Sequence, residues 1–535
     1  MLIFEVWLST HSCTLHLSPF PLSPSLSHPG IHREPILFAN MKLLELGFVN
    51  TLGLLVGVYV AYQLAQAFYC LFLHPLRKFP GPIWMRTSRI PFCYKLLTGT
   101  LPFDMLDLHR RYGPVVRIAP DELAFHDSRA WKEIMGHKTQ GGAEMEKSLK
   151  FYRSVPGAPS DIVSSDREEH TVLRRSLAHG FSERSMRDQQ PMIKGYVDLL
   201  IQRLHQHGDD GAKPLDLAAW YNYTTFDVIG DLAFGESFGC LDGSDYHPWV
   251  AAIFQMARLG TVLQTGKHYP FVMKLIMSMV PEKAKRERAH HEEFTEAKLR
   301  RRMDLGSRPD LIEGLLKKKE DWNMTFEKLK ANSSILIIGG SETTATLLSG
   351  VTYYLLTNPD AHKKLTDEIR STFKEESEID FTSVSNLPYL LACLEEALRL
   401  YPPVPIGLPR IVPKGGATIA DHYVPEDTTV SVYQWAMYHS EKNFRDPFGF
   451  HPERWMQDPV FASDDKEAFQ PFHVGPRNCI GRNLAYVEMR LILARMLWNF
   501  DIKIADDSRD WAGRQKIYLL WEKGPLNAYL KPVRR

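Results

Sequence analysis

The stretch that decides the fold is Phe472-His473-Val474-Gly475-Pro476-Arg477-Asn478-Cys479-Ile480-Gly481. It is a turn rich in Gly and Pro that presents one Cys and one Arg just before an apolar helical pattern. The N–H groups of a turn and of a helix start both favour a negatively charged sulfur. Arg477 adds a positive charge that can meet an anionic group of a cofactor. A single Cys in this setting indicates a thiolate held for a metal; the alternative is an ordinary buried Cys in a tight turn.

The bulk composition is that of an ordinary globular protein. The chain has 535 residues, a formal net charge of +1, 44% hydrophobic residues and 24% charged residues. The near-zero net charge gives no support to a protein that binds nucleic acid. The six cysteines are scattered, and none forms a C-x-x-C pair: Cys13, Cys70, Cys93, Cys240, Cys393 and Cys479. This pattern indicates neither a zinc site nor a disulfide scaffold, and it suits a reducing compartment.

The ten residues around Cys479 resemble the haem-ligand loop of the cytochrome P-450 superfamily, with Phe, Gly, Arg, Cys and Gly at the family's spacing. The resemblance implies a mainly α fold with a small β-rich lobe and one N-terminal transmembrane helix. It implies a bound haem b, iron protoporphyrin IX, with the Cys479 thiolate as axial ligand of the iron. Phe472 and Arg477 are the other residues of this loop that the resemblance places at the haem.

A second motif is Glu396–Arg399, which lies within a pattern of leucines at helical spacing. Glu and Arg at i and i+3 share a helix face and can pair. As an exposed ion pair they would contribute only about 0–1 kcal/mol, but the apolar neighbours indicate burial. The motif resembles the Glu-x-x-Arg of the same family, and Pro452–Trp455 resembles its partner motif. The resemblance implies a structural triad of Glu396, Arg399 and Arg454 that locks the core around the haem loop.

A third motif is the apolar run Ile335–Thr344, which contains the adjacent glycines Gly339 and Gly340. The run predicts a buried helix, in which each glycine costs about 1 kcal/mol relative to Ala. Adjacent glycines can open the helical hydrogen-bond ladder and let a small molecule approach the backbone. The run resembles the oxygen-activation motif of the family, which implies that Glu342 is the acid and Thr343 the alcohol of a proton relay. The alternative is a helix-packing notch with a helix-internal Thr.

Four residues are candidates to hold the haem propionates. Arg477 lies in the loop itself. His170 and Arg174 lie four residues apart on a predicted helix, share a face, and resemble the family's Trp/His-x-x-x-Arg. Arg410 resembles the family's arginine on the strand that follows the Glu-x-x-Arg helix. Arg suits this role because its planar guanidinium matches a carboxylate. The alternative for His170 is a surface or capping residue, and for Arg174 and Arg410 a surface cation.

The N-terminal part predicts a membrane anchor. No charged residue occurs from Leu46 to Leu73, a run long enough for a helix that crosses a bilayer. Lys42 precedes the run, and four cations follow it between Arg77 and Arg89. This asymmetry predicts a single pass with the C-terminal bulk on the cytoplasmic side. The resemblance to microsomal members places the chain in the endoplasmic reticulum membrane. The alternatives are a cleaved signal peptide, for which the run is too long, and a buried core helix.

Four segments are predicted along the chain. Residues 1–40 are rich in Ser, Pro, His and Leu, and we interpret them as an unstructured leader or an extension of the gene model. Residues 41–73 form the membrane anchor, and residues 74–82 form a stiff proline-rich hinge. Residues 83–535 form one catalytic domain, a prediction that relies on the family resemblance. Within that domain, residues 115–125 predict a β-hairpin with its turn at Pro120-Asp121.

The resemblance implies a monooxygenase that uses O2 and electrons from NADPH. The expected donor is a membrane-bound NADPH-cytochrome P-450 reductase, with cytochrome b5 as a second candidate, because the chain has no credible Gly-x-Gly-x-x-Gly unit of its own. Apolar residues around the motifs favour a lipophilic substrate, and the closest resemblance is to fungal members of secondary-metabolite and mycotoxin pathways, including trichothecene hydroxylases. Two alternatives stay open: a haem-thiolate isomerase, dehydratase or peroxygenase that needs no reductase, and a non-catalytic haem-binding protein.

Overall fold

The computed structural model describes residues 34–138, 142–153, 158–247, 258–317 and 324–534. The chain forms two compact units, one that ends at Ala65 and one that runs from Gln66 to Arg535. Helix α1 (Glu34–Phe68) begins in the first unit and inside the predicted leader, of which residues 1–33 lie outside the described residues. The stretch Asn50–Leu73 has 24 residues, a mean hydropathy of 1.5 and almost entirely exposed side chains. This confirms the predicted apolar N-terminal helix, which is long enough to cross a bilayer.

Helices dominate the second unit. They are α2 (Ile83–Thr87), α3 (Ile90–Thr98), α4 (Leu101–Tyr112), α5 (Arg129–Met135), α6 (Leu149–Tyr152), α7 (Arg167–Ala178), α8 (Glu183–His207), α9 (Leu217–Phe234), α10 (Cys240–Gly243), α11 (Pro270–Ser278), α12 (Glu282–Asp304), α13 (Glu313–Lys317), α14 (Phe326–Thr357), α15 (Pro359–Thr372), α16 (Pro388–Leu400), α17 (Gln434–Tyr438) and α18 (Arg482–Asn499). Residues 258–266 are also helical.

Within the described residues the strands are short and form four small sheets. They are β1 (Val115–Ala119), β2 (Glu122–Phe125), β3 (Glu146–Lys147), β4 (Pro214–Asp216), β5 (Arg410–Ile411), β6 (Ala417–Ile419), β7 (His422–Val424), β8 (Thr429–Val432), β9 (Phe500–Ile504), β10 (Lys516–Ile517), β11 (Trp521–Glu522) and β12 (Asn527–Pro532). The largest sheet has the order β1-β2-β8-β5-β3, and only its β2–β8 pair is parallel. The predicted hairpin is confirmed, because Val115 pairs with Phe125 across β1 and β2. The fold is therefore mainly α with a small β-rich lobe.

Helix α14 is the central element of the core. Thr325 caps its N-terminus, where the Thr325 hydroxyl accepts a hydrogen bond from the Lys328 N–H at 3.3 Å. Its apolar composition would suffice to cross a membrane, but 72% of its most apolar stretch is buried inside the protein. It packs along α9, and at Gly350 a Cβ would lie 2.5 Å from the Tyr401 ring. α14 is therefore a core helix, and its close packing positions the residues of the site.

The predicted hinge packs against strand β1. Residues Pro75–Lys78 form a short 3-10 turn, and the Arg117 N–H donates to the Pro80 carbonyl oxygen at 2.7 Å. A Cβ at Gly81 would lie 2.3 Å from the Arg117 carbonyl oxygen, so the two backbones approach too closely for a larger residue. The buried Arg117 guanidinium also donates to the Cys70 carbonyl oxygen at 2.8 Å. Residues 66–82 therefore belong to the same compact unit as the catalytic body.

Candidate active site

The Cys479 loop is a tight turn that leads into helix α18. The Cys479 N–H donates to the Phe472 carbonyl oxygen at 2.9 Å, which closes the loop. Gly475 has a φ of +82°, and a Cβ there would lie 1.9 Å from the Met135 carbonyl oxygen. Because glycine tolerates both this φ and this approach, the loop backbone can pack directly against the end of α5.

The Cys479 side chain opens into a cavity inside the protein. Burial raises the pKa of the Cys479 thiol, whereas a hydrogen bond from the Gly481 N–H and the charges of Arg174 and Arg482 act to lower it. The net direction is upward, because burial outweighs these opposing effects on the thiol pKa. A coordinating metal deprotonates a thiol outright, so this position offers one thiolate ligand to a metal in the cavity.

Helix α14 forms another wall of this cavity, which contains about 930 Å³ free of protein atoms, part of it open to solvent. The Thr343 hydroxyl lines the cavity and donates to the Gly339 carbonyl oxygen at 2.7 Å. A Cβ at Gly339 would have no atom within 4 Å, whereas a Cβ at Gly340 would lie 2.7 Å from Ile229 Cδ1. Gly339 therefore leaves open space beside Thr343, and Gly340 permits the close packing of α14 on α9.

Substitution of the two glycines by Ala is expected to change the stability of the protein in opposite directions. Gly340→Ala should destabilise the protein by about 1–3 kcal/mol, because its Cβ overlaps Ile229 in a packed core. The matched variant Gly339→Ala should stabilise it by up to about 1 kcal/mol, since Ala is the better helix former and the space is open. Urea unfolding measures both differences. Equal effects of the two substitutions would contradict these separate roles.

A group of cations borders the thiol cavity. Lys147, Arg174 and Arg477 line it, and Arg410 lies close enough to act on Lys147 electrostatically. Arg477 pairs with Glu144 at 2.7 Å, whereas the other three donate to neutral oxygens. Those donations are Arg174 to the Asn478 carbonyl at 2.6 Å, Lys147 to the Val163 carbonyl at 2.6 Å and Arg410 to the Tyr152 hydroxyl at 2.8 Å. The described hydrogen bonds therefore leave this group with an excess of positive charge.

Burial and this excess of positive charge lower the pKa values of Lys147 and His170. Burial, followed by the charges of Arg410 and Arg477, lowers the pKa of Lys147 well below its ordinary value. Burial and the charges of Arg477 and Lys147 lower the pKa of His170 to about 3, so its ring is neutral near neutral pH. Helix α7, capped by the Asp166 carboxylate, places His170 and Arg174 on one face as predicted. An anion in the cavity would relieve the repulsion among these cations.

The residues present fit a haem. A thiol open to the cavity is the ligand type that a haem iron takes, and the excess cations match the two carboxylates of a porphyrin. Of the residues expected at the cofactor, the structure brings five to the cavity: Phe472, Arg477, Cys479, His170 and Arg174. Arg410 is not part of this lining; it donates to the Tyr152 hydroxyl and acts electrostatically on Lys147, a cation that the sequence analysis did not single out. Lys147 lies in the two-residue strand β3, which is too short to give a periodic signal.

The predicted triad is assembled in the core, and all three side chains are fully buried. Arg399 pairs with both Glu396 carboxylate oxygens, at 2.7 and 3.0 Å, and the Arg454 Nε lies 3.3 Å from Glu396 Oε2. Burial alone raises the pKa of Glu396, but the charges and hydrogen bonds of Arg399 and Arg454 outweigh it and hold that pKa below its ordinary value. Two further partners were not predicted: the Trp455 indole, which donates to Glu396 at 2.9 Å, and Asp464, which pairs with Arg454.

The comparison with known proteins agrees with this geometry. The model of the cytochrome P450 family matches residues 80–526. The chain belongs to the cytochrome P450 family. The cytochrome P450 monooxygenase tpeC of Talaromyces stipitatus is 48% identical over 515 residues, which cover 95% of this chain and 99% of the relative. The trichothecene C-15 hydroxylase of Fusarium sporotrichioides is 45% identical over 482 residues, 89% of this chain and 97% of the relative. The cytochrome P450 monooxygenase prhB of Penicillium brasilianum is 44% identical over 481 residues, which cover 90% of this chain and 98% of the relative.

This P450 is therefore a haem-dependent monooxygenase, and its similarity is to fungal relatives of secondary-metabolite pathways. The isomerase, dehydratase, peroxygenase and non-catalytic alternatives are not favoured by these relatives. The roles predicted for individual residues are not tested by the comparisons and stay predictions.

Glu342 lies apart from the thiol cavity of the P450. Thr343 lines that cavity, whereas Glu342 faces a second cavity, where Lys523 donates to its Oε1. Successive helix residues point about 100° apart, so neighbours of the α14 motif face different surroundings. Lys523 comes from the C-terminal part of the chain, and the sequence analysis did not single it out.

Proposed function

We propose that this P450 binds haem b in the thiol cavity, with Cys479 as the iron ligand and the cation group around the propionates. When bound, a thiolate-ligated haem supplies the reductive activation of O2 and the transfer of one oxygen atom to the substrate. Arg477 and Arg174 would hold the carboxylates, Arg410 would add positive charge through its effect on Lys147, and neutral His170 would donate a hydrogen bond to a carboxylate. The observation that carries this proposal is the single cavity that contains the Cys479 thiol, the Thr343 hydroxyl and this excess of cations.

The substrate is proposed to be a lipophilic intermediate of fungal secondary metabolism. Apolar side chains line much of the thiol cavity, among them Ile162, Phe181, Ile229, Leu336 and Leu484. A site of this kind favours an apolar ligand and excludes water from the reacting atoms. We expect the loop 137–160 and the region 250–275 to line the substrate pocket as well. Their residues 139–141, 154–157 and 250–257 lie outside the described residues.

The electrons are proposed to come from NADPH through a membrane-bound cytochrome P-450 reductase, with cytochrome b5 as a second donor. The proposed location is the endoplasmic reticulum membrane, with the apolar helix as a single pass and the catalytic domain in the cytoplasm. The apolar stretch Asn50–Leu73 and the cations that follow it support this topology. Glycosylation sites introduced before and after this helix would test the orientation: modification is expected only before it.

The test of the proposed function uses the full chain in microsomes that contain the reductase. Reduced microsomes with carbon monoxide are expected to give the red-shifted Soret band of thiolate-ligated haem. Oxidation of a lipophilic substrate from the relatives' pathways is expected to require both NADPH and O2. Turnover without NADPH would point to an isomerase, a dehydratase or a peroxygenase instead. A spectrum of histidine-ligated haem in folded protein would overturn the ligand assignment.

Thr343→Ala is expected to divert electrons from product to hydrogen peroxide. The variant keeps the cavity but removes the hydroxyl that lines it, so a proton donor is lost at the site of oxygen activation. A positioned proton donor contributes about 10²–10⁴-fold, so we expect the ratio of product to NADPH consumed to fall by about 10-fold or more. Thr343→Ser keeps the hydroxyl and is the matched control. Equal product yields from the two variants would contradict the proposed role.

A further inference from the structure

A third cavity, which we call the polar cavity, lies beside the largest sheet. It contains about 990 Å³ free of protein atoms, part of it open to solvent. Its lining includes residues 148–151, Gln264 and His268, which belong to the two segments that we expect to line the substrate pocket. The polar cavity and the thiol cavity share no lining residue within the described part of the chain. The polar cavity is therefore a separate space with a chemistry of its own.

The segment around strand β3 borders both cavities. Lys147 of β3 lines the thiol cavity, whereas the next residue, Ser148, lines the polar cavity. Ser148 is extended, and successive side chains of an extended backbone point to opposite sides. Pro409 and Ile411 also line the polar cavity, and the Ser148 N–H donates to the Pro409 carbonyl oxygen at 3.3 Å. A molecule in the polar cavity is thus close to the haem site but separated from it by this backbone.

Three polar side chains of this lining make no hydrogen bond with the described residues. Gln264 is 9% exposed, and its buried Oε1 has no donor. Tyr433 is 4% exposed, and burial raises the pKa of its hydroxyl well above the ordinary value, so the hydroxyl keeps its proton. Burial lowers the pKa of His268 to about 4, so its ring is neutral near neutral pH. The three groups that lack a partner are therefore all neutral.

The charged groups of the polar cavity either have a partner of opposite sign or are exposed. Arg89 pairs with Glu122 at 2.5 Å and also with Asp121. Lys150 and Asp427, which carry opposite charges, are exposed. The described lining therefore has no buried charge left to pair with an ion. Because burial of an unpaired charge is costly, this cavity favours a neutral ligand.

Apolar side chains form much of the remaining wall. Among them are Phe92, Leu96, Leu101, Phe151 and Ile406. Buried acceptors are rarely left unpaired, because the loss of their hydration is costly, so Gln264 Oε1 indicates a donor from outside the chain. A hydroxyl group both donates and accepts. A ligand that carries a hydroxyl on an apolar body would satisfy Gln264 Oε1 and the Tyr433 hydroxyl and also contact the apolar wall.

We propose that the polar cavity is a second ligand site, which binds a neutral lipophilic molecule through a hydroxyl group. That hydroxyl donates to Gln264 Oε1 and accepts from the Tyr433 hydroxyl, while the His268 ring contacts the same end of the ligand. The inference goes beyond the proposed function, because these groups lie outside the thiol cavity. The hydroxyl belongs either to a second molecule or to the substrate, which would then carry it before this P450 acts.

The first experiment measures the binding of farnesol, a lipophilic alcohol, to the purified holoenzyme by equilibrium dialysis. Gln264→Leu removes the amide and should weaken farnesol binding by about 3- to 10-fold, the effect of one lost hydrogen bond. Tyr433→Phe should weaken it by a similar factor. Farnesene, which lacks the hydroxyl, should bind Gln264→Leu at least as well as the parent. Gln206→Leu, which replaces an exposed glutamine of α8 outside the lining, is the matched control.

The second experiment identifies the source of the hydroxyl. Phenylimidazole binds a haem iron and fills the space beside it. If farnesol still binds in its presence, and Gln264→Leu weakens that binding, the occupant is a second molecule. If phenylimidazole displaces farnesol, while Gln264→Leu weakens farnesol binding in its absence, the hydroxyl belongs to a molecule that reaches both cavities.

Three results would overturn the inference. They are equal farnesol affinities of the parent and Gln264→Leu, an equal loss of affinity for farnesene, and no saturable binding of farnesol to the parent. The proposed function fails separately, through loss of the thiolate spectrum in the parent enzyme.

Discussion

Cys479→Ala is expected to abolish the red-shifted Soret band that carbon monoxide gives with the reduced enzyme, and monooxygenase activity with it. Cys479 is the one sulfur donor among the described residues that line the cavity, so no neighbouring side chain there can replace the thiolate. The axial thiolate is the group that favours O–O cleavage at a haem iron. Difference spectra of reduced microsomes, with haem content measured separately, provide the readout.

The matched control is Cys93→Ala. Cys93 is buried in α3, outside the lining of the cavity, and is expected to keep the thiolate spectrum. Its substitution removes one buried sulfur, so some loss of stability is expected, but no change of the iron ligand. A thiolate spectrum that survives Cys479→Ala in folded protein would refute the ligand assignment, whatever the control does.

Glu396→Ala is expected to produce protein that unfolds easily and does not hold haem. The substitution leaves two fully buried guanidinium groups, Arg399 and Arg454, without the carboxylate that both contact. Removal of one partner of a buried ion pair costs about 3–5 kcal/mol, because the remaining charge has lost its hydration without compensation. Here that charge is mainly Arg399, since Arg454 still pairs with Asp464. That loss is a large part of the total stability of a typical protein, about 5–15 kcal/mol. The shift of the urea midpoint and the haem retained after purification measure it.

Two variants separate this effect from a general effect of charge removal. Asp367→Ala breaks an exposed ion pair with Lys363 and should cost only about 0–1 kcal/mol. Trp455→Phe keeps an aromatic ring but removes the indole N–H that donates to Glu396, together with part of the ring, and should cost about 1 kcal/mol or more. If Glu396→Ala cost no more than Asp367→Ala, the triad would not stabilise the core as its burial indicates.

Local motifs accounted for the parts of the site that are close in sequence. The loop from Phe472 to Gly481 is closed by its own backbone hydrogen bonds and by a glycine that the packing requires. The hairpin of β1 and β2 likewise depends on neighbouring residues. Short patterns of this kind specify backbone conformation directly, so their residues could be assigned before the structure was known.

Contacts between distant segments were not available from these patterns. Lys523 reaches Glu342 from 181 residues away, and Arg410 meets Tyr152 from 258 residues away. The sequence analysis placed Trp455 only at the end of the partner motif, yet its indole N–H donates to Glu396 of the triad. A side chain's charge or N–H does not reveal its partner; only packing brings the two together.

The sequence by itself located the Cys479 loop and the apolar N-terminal helix, because each depends on composition or on spacing within one segment. The mainly helical fold and the residues of the triad were implied by the resemblance to the P450 family. Only the tertiary structure decided that Gly340 packs while Gly339 leaves space, and that Thr343 and Glu342 face different cavities. The direction in which a helical side chain points is set by the rotation of the whole helix in the core. That rotation follows from the packing of α14 against α9 and the C-terminal segment, which no single stretch of the chain encodes.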